Sequence, residues 1–172
     1  MTELAPLSGG VVEVLTFKEG LLSKVAHDLL LRVERFDVET DGQRVVARFY
    51  PASIVVVDAM RDGHLDAGTL SDRDRAEIRE NIQKKVLHAD KHPEATFRGE
   101  GRRRETGYHV EGTLRLLGAE HAVAFEARER DGRLTGEVEL TPSQWGITPF
   151  KALLGAIKLR DRVVLRFELP SL

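Results

Sequence analysis

The chain has 172 residues, of which 41% are hydrophobic, and this length suits one domain with a core better than two. Its 26 basic and 28 acidic side chains nearly cancel, so the composition does not indicate a nucleic acid partner. The absence of cysteine excludes disulfides, thiolate metal sites and cysteine nucleophiles. We therefore expect a single domain over residues 1–172.

The first ten residues do not have the pattern of a secretion signal. Glu3 stands where basic residues are needed, and no continuous apolar stretch follows it. The longest apolar runs elsewhere, at 29–31 and 54–57, are far shorter than the roughly 20 residues that cross a bilayer. We expect a cytoplasmic protein that does not insert into membranes, or a periplasmic one if a leader has been removed.

The N-terminal half predicts four strands, because short apolar runs there mostly alternate with polar residues. Asp41-Gly42 marks a hairpin, since this pair readily adopts the positive backbone angles of a tight turn. The alternation slips at Glu34 and Arg35, which predicts a bulge or a barrel corner there. The strands are expected near residues 12–14, 29–33, 45–49 and 54–57.

A helix is predicted over about residues 72–88. Ser71 can cap its first turn together with Asp74, three positions further on. Apolar residues then recur at every fourth position: Ile78, Ile82 and Val86. A helix with a single apolar stripe should lie across a sheet face or close one end of a barrel.

The C-terminal half shows the clearest alternation of apolar and polar residues. Pro93 favours an extended chain before it and a new strand over 95–97, and Asp131-Gly132 marks another hairpin. Further strands are expected near residues 110–116, 121–127, 134–140 and 163–169. The sequence therefore predicts a mainly β fold, an antiparallel barrel of about eight strands with one helix, wide enough for one slender ligand.

Four widely spaced segments carry motifs: Gly20 to Asp28, Lys91 to Phe97, Val110 to Gly118 and Trp145 to Ile147. Read in this order, they resemble the YceI-like family of bacterial proteins, and the resemblance extends over residues 11–169. The first segment is similar to that of a shorter subgroup without secretion signals.

The resemblance implies an extended lipocalin-like barrel that binds a long apolar molecule and does not catalyse a reaction. Better-known members look like carriers of isoprenoids, such as a polyprenyl quinone, along the barrel axis. The partner implied is thus a lipophilic small molecule, with no cofactor other than a bound isoprenoid or other lipid. His92 stands where the family commonly has an aromatic residue, which leaves the head group of the ligand open.

The polar pair His27-Asp28 lies between an apolar turn and an apolar strand. His27 could bind a polar head group while Asp28 caps backbone amides, or both could hold the loop that enters the strand. Trp145 could be a core residue or a pocket wall, and the same two readings apply to the apolar segment around Phe150. The ligand-binding candidates are His27, Asp28, Phe97, Leu114, Phe125, Val138, Trp145, Phe150, Leu154 and Leu165.

Metal binding is not expected, although His88, Asp90 and His92 lie close together in sequence. Pro93 pulls His92 out of helical geometry, so two histidines four residues apart would not share a cation. These side chains are better read as solvated residues at the end of a helix.

Catalysis by a triad of Ser23, His27 and Asp28 is not expected either. Adjacent side chains in an extended segment point to opposite faces, which defeats the geometry of a proton relay. Three functions stay open: a lipid carrier, a barrel filled by its own side chains that acts as a stress-linked scaffold or interaction protein, and an enzyme using His27 and Asp28 as acid and base. An exposed edge strand could pair two barrels into a homodimer.

Overall fold

The computed structural model describes residues 2–19, 26–152 and 157–172. These residues form thirteen strands and one α-helix. The elements are β1 (Ala5–Pro6), β2 (Val11–Lys18), β3 (Asp28–Val33), β4 (Phe36–Thr40), β5 (Arg44–Phe49), β6 (Ile54–Arg61), β7 (His64–Asp66), α1 (Asp72–Asn81), β8 (Ala95–Arg104), β9 (Gly107–Leu116), β10 (Ala119–Arg130), β11 (Arg133–Leu140), β12 (Lys151–Ala152) and β13 (Ile157–Pro170). No helix within these ranges is long and apolar enough to cross a membrane.

The strands form one curled antiparallel sheet. Its order is β1-β4-β5-β8-β9-β10-β11-β13-β2-β3-β6-β7, and β12 pairs with β13. The part from β8 to β11 is a meander of consecutive hairpins, as the alternation in the sequence predicted. The mainly β antiparallel fold with one helix is therefore confirmed.

The predicted count of about eight strands is corrected to thirteen among the described residues. Three of the additional strands, β1, β7 and β12, have only two or three residues, too few to show an alternating pattern. The remaining additional strand, β4, arises because the chain turns a corner after β3.

The corner at Glu34 and Arg35 lies where the alternation slips. Glu34 donates its backbone N–H to the carbonyl of Ser53 at 3.3 Å, and Tyr50 donates to the carbonyl of Arg35 at 3.2 Å. The Ser53 hydroxyl adds a bond to the Tyr50 carbonyl at 2.7 Å and accepts one from the Arg35 N–H at 2.9 Å. Because β3 and β6 lie near one end of the sheet order and β4 and β5 near the other, the corner brings the two ends together.

Helix α1 begins with the predicted cap. The Asp74 N–H donates to the Ser71 hydroxyl, and the Ser71 N–H donates to the Asp74 carboxylate, both at 3.1 Å. A π-helical turn over Ile82–Val86 continues α1 to nearly the predicted end. Ile78 and Ile82 pack against the core formed by β2, β3 and β6, so the helix covers one end of the curled sheet.

Asp58, on β6, is a buried carboxylate that holds the loop leading into α1. It accepts backbone N–H bonds from Ala59 at 2.8 Å, Gly68 at 2.8 Å and Leu70 at 3.0 Å. Arg75 lies 3.9 Å away and also donates to the Leu70 carbonyl at 2.8 Å. Burial raises the pKa of Asp58, but the three N–H donors and the guanidinium outweigh it and leave the pKa below its ordinary value of 3.8.

We predict that Asp58→Ala lowers the free energy of unfolding by about 3–5 kcal/mol, because three backbone N–H donors, two of them in buried hydrogen bonds, lose their acceptor. Urea denaturation at neutral pH measures the loss. Asp90→Ala, at an exposed turn position, is the control and should change stability by less than about 0.5 kcal/mol. Equal stability of the two variants would contradict the role given to Asp58.

We also predict how pH changes the difference in the free energy of unfolding between the wild type and Asp58→Asn. Since the folded-state pKa of Asp58 is lowered, its contribution is fully present above the unfolded value of 3.8 and is lost as pH falls through the folded value. The stability difference between the two proteins should thus be constant from neutral pH down to about 5 and shrink below about 4. A difference that grew on acidification would contradict the lowered pKa.

Candidate ligand-binding site

Two adjoining cavities lie inside the curled sheet, among the described residues. The larger has a volume of about 670 Å³ and the smaller about 150 Å³. Four apolar side chains line both of them and form a waist between them: Phe49, Leu114, Leu140 and Leu165. The two cavities therefore adjoin across these four side chains, and we refer to the two cavities and the waist together as the apolar passage.

The larger cavity is walled by both the sheet and the helix. Inward residues of β2 and β3 form one side, and Ile78 and Ile82 of the helical segment form another. The segment from Pro142 to Phe150 contributes a third side. Its polar lining residues include Thr16 and His27. The helix thus closes this end of the passage, one of the two positions that its single apolar stripe predicted.

The smaller cavity is surrounded by an aromatic cluster. The ring centroid of Phe125 lies 5.7 Å from that of Phe97 and 5.6 Å from that of Phe167. The Phe97 ring rests on the glycine pair Gly99 and Gly112, where a Cβ on Gly112 would come within 2.6 Å of the ring. These glycines let the ring lie flat against the sheet, which leaves space in the centre of the barrel.

The cavities bring most of the predicted ligand-binding residues together. The waist contains Leu114 and Leu165, the smaller cavity contains Phe97, Phe125 and Val138, and the larger contains His27, Trp145 and Phe150. Leu154 lies outside the described residues. Contact between these side chains and a ligand stays a prediction.

Asp28 lies apart from its neighbour His27. Its carboxylate accepts the backbone N–H of Lys18 at 2.7 Å, whereas His27 lines the larger cavity. The described lining residues of this cavity do not include Asp28. The two side chains therefore do not share one site, and Asp28 serves the adjoining strand as a cap for a backbone amide.

Trp145 is both a core residue and a wall of the larger cavity. It ends the short helical turn Pro142–Trp145, is only 3% exposed, and donates its indole N–H to the carbonyl of Leu114 at 3.0 Å. The imidazole of His121 meets its ring edge-on at 5.2 Å. Gly146 follows at a φ of 80°, where a glycine is favoured. The indole thus ties the turn to β9 at the waist.

Thr16 is a cavity residue that the sequence interpretation missed. It follows Val12 and Val14 in the alternation of β2, so the period of two could have placed it on the inward face. Its hydroxyl is buried, and no hydrogen-bond partner for it exists in the described part of the chain. The wall of the larger cavity thus contains a buried hydroxyl whose hydrogen bonding is not satisfied by the described residues.

A titratable cluster on the outer face of the sheet does not contribute to the cavity. His109 bonds to Glu126 and, at 3.0 Å, to Glu111, and these bonds raise the pKa of the imidazole above its ordinary value of 6.5. All three residues lie on outward positions of β9 and β10. Within the described ranges, no three His, Asp or Glu side chains are arranged to hold a metal ion.

The family model for the YceI-like domain matches residues 19–170. The chain therefore belongs to the YceI-like family, which confirms the resemblance carried by its motifs. No curated protein matches the sequence significantly.

Solved structures with little sequence identity share this fold. A polyisoprenoid binding domain from Saccharophagus degradans matches with a TM-score of 0.60 at 9% identity, covering 97% of both chains. BcnA from Burkholderia cenocepacia matches with a TM-score of 0.59 at 16% identity, covering 94% of this chain and 96% of that one. The YceI protein of Campylobacter jejuni has a TM-score of 0.54 at 15% identity, with coverage of 88% and 86%. At such identities the similarity establishes the fold alone.

We predict that Trp145→Phe lowers the free energy of unfolding by about 1–2 kcal/mol. Phenylalanine keeps the aromatic packing but loses the N–H donor to Leu114 and part of the buried area. Urea denaturation followed by circular dichroism measures the change, since the variant has no tryptophan left to observe. Unchanged stability would show that the indole does not hold the turn to β9.

Proposed function

We propose that this protein is a carrier that holds a lipophilic chain, such as an isoprenoid or another long-chain lipid, inside its curled sheet. The observation that carries this proposal is the apolar passage formed by the two cavities and their shared waist. Each methylene moved from water into such a passage contributes about 0.8 kcal/mol, so an elongated chain gains affinity with length. A carrier of this kind needs no catalytic group.

The shape of the passage favours a slender molecule over a compact one. The larger cavity, of about 670 Å³, adjoins one of about 150 Å³ across the waist. A chain can extend from one to the other between Leu114 and Leu165, whereas a fused ring system would be confined to the larger end. The polyisoprenoid binding domain of Saccharophagus degradans has the same fold, which is compatible with this reading.

The acid–base enzyme is less well supported. His27 lines the larger cavity, but Asp28 bonds to the backbone of Lys18 and is not part of the cavity lining. An imidazole in an apolar cavity is better suited to contact a polar head group than to work as half of an acid–base pair.

The first experiment identifies what the protein retains. We expect that protein purified without detergent from a bacterial host, and then extracted with organic solvent, yields a long-chain lipid in near-stoichiometric amount by mass spectrometry. An extract without lipid, together with no uptake of added long-chain alcohol, would contradict the carrier and favour a barrel that acts as a scaffold.

The second experiment uses the single tryptophan as a detector. Because Trp145 lines the larger cavity, we expect a long-chain alcohol brominated along its chain to quench the tryptophan fluorescence on binding. Leu114→Glu places a charge at the waist. Because burying a carboxylate is unfavourable, this variant should need more than about ten times the alcohol concentration for half-maximal quenching.

The matched control for this experiment is Thr113→Glu. Thr113 is the neighbour of Leu114 on β9 but is exposed on the outer face of the sheet. The tryptophan fluorescence of this variant should be quenched at the same alcohol concentration as that of the wild type. Circular dichroism verifies that both variants fold. If Leu114→Glu does not fold, Leu114→Phe, which narrows the waist without a charge, takes its place. Equal quenching in the waist and control variants would place the lipid outside the passage.

A further inference from the structure

Thr16 is a polar residue in an otherwise apolar part of the larger cavity wall. It pairs with Leu29 of β3 on one side and with Val163 of β13 on the other. Val14, Leu29 and Val163 all line the same cavity. The side chain of Thr16 is therefore flanked on both neighbouring strands by aliphatic side chains.

The hydroxyl of Thr16 has no hydrogen-bond partner among the residues that the structure describes. The residue is only 9% exposed, its Oγ1 atom is out of contact with solvent, and no hydrogen bond to it exists among the described residues. A buried hydroxyl without a hydrogen bond is unfavourable by about 1–3 kcal/mol, so such groups are normally paired in folded proteins. Rotation about the Cα–Cβ bond exchanges the hydroxyl with the methyl group and lets it reach a molecule in the cavity.

The charges around the cavity determine which group can pair with this hydroxyl. The charged residues among its described lining are Asp74, Glu77 and Arg160, and all three are exposed at the rim. Arg160 donates its Nε to the carbonyl of Lys18 at 3.2 Å. Among the described lining residues, a phosphate or carboxylate beside Thr16 would therefore have only Arg160 at the rim and the imidazole of His27 as nearby partners, and a buried charge with so little compensation is unfavourable.

We infer that Thr16 selects an uncharged oxygen-bearing group of the ligand, a hydroxyl or a carbonyl. This inference rests on the carrier function proposed above and narrows the ligand class to long-chain alcohols and carbonyl compounds. A threonine hydroxyl can donate one hydrogen bond and accept others, so it serves either group. A hydrocarbon leaves the hydroxyl unpaired, and an anion would find no buried lysine or arginine among the described lining residues.

The test is a competition among three probes of equal chain length: hexadecanol, hexadecane and hexadecyl phosphate. The protein is equilibrated with an equimolar mixture, separated from free probe and extracted, and the bound amounts are measured by mass spectrometry. Thr16→Val, which replaces the hydroxyl by a methyl group of similar size, should lower the ratio of bound alcohol to bound hydrocarbon about tenfold relative to the wild type. Comparing ratios between variants removes the differences in water solubility of the probes.

Thr135→Val is the matched control, because Thr135 is an exposed strand residue on the outer face of β11. It should bind the probes in the wild-type ratio. The Thr16→Val protein without ligand should be at least as stable in urea as the wild type, since the substitution removes an unpaired hydroxyl. A marked loss of stability would mean that the hydroxyl is paired within the protein, which would overturn the inference.

The outcomes separate this inference from the carrier function itself. If the wild type binds the probes and Thr16→Val keeps the same ratio, the role inferred for Thr16 is wrong but the carrier function is not contradicted. The same conclusion follows if hexadecyl phosphate is the preferred probe. If the wild type binds none of the three probes, both proposals are wrong.

Discussion

The structure depends on one constraint, the corner at which β3 passes into β4 and β5 passes into β6. Both chain segments turn there together, joined by the backbone bonds between Glu34 and Ser53 and between Tyr50 and Arg35. The segment from β3 to β6 contributes β4 and β5 near one end of the sheet order and β3 and β6 near the other. The sheet therefore has to curl so that its two ends meet at this corner. The apolar side chains on that face then surround a central space, which a flat sheet would not enclose.

The curled sheet needs a cover at its wide end, and the helix supplies it. The carboxylate of Asp58 accepts three backbone N–H bonds, one from its own strand and two from the loop before α1, and so fixes where the helix begins. In the wall of the same cavity, the indole of Trp145 ties the turn over residues 142–145 to β9. Polar contacts thus position the cover, while apolar side chains of the helix form its inner surface.

The regular parts of this architecture could be predicted from the sequence, because alternation and capping are local. The capping box of Ser71 and the slip near Glu34 are each visible within a few residues. The tie made by Asp58 could not be predicted, since its acceptor role depends on backbone N–H groups up to 12 residues away, as for Leu70. The inward position of Thr16 follows from the period of two, but the lack of a partner for its hydroxyl depends on what β3 and β13 place beside it.

The interior has the properties of a site that is completed by what it binds. Cores are normally packed to the density of organic crystals and pair their buried polar groups, but here a passage stays open and a buried hydroxyl stays unpaired. A core selected for stability alone would fill the space beside Val14 and Val163 with larger side chains and would have valine at position 16. A chain with a polar end supplies both the missing contacts and the missing hydrogen bond. Binding would then add to the stability of the folded state by mass action, so under the proposed carrier function the features that weaken the empty protein are those that hold the ligand.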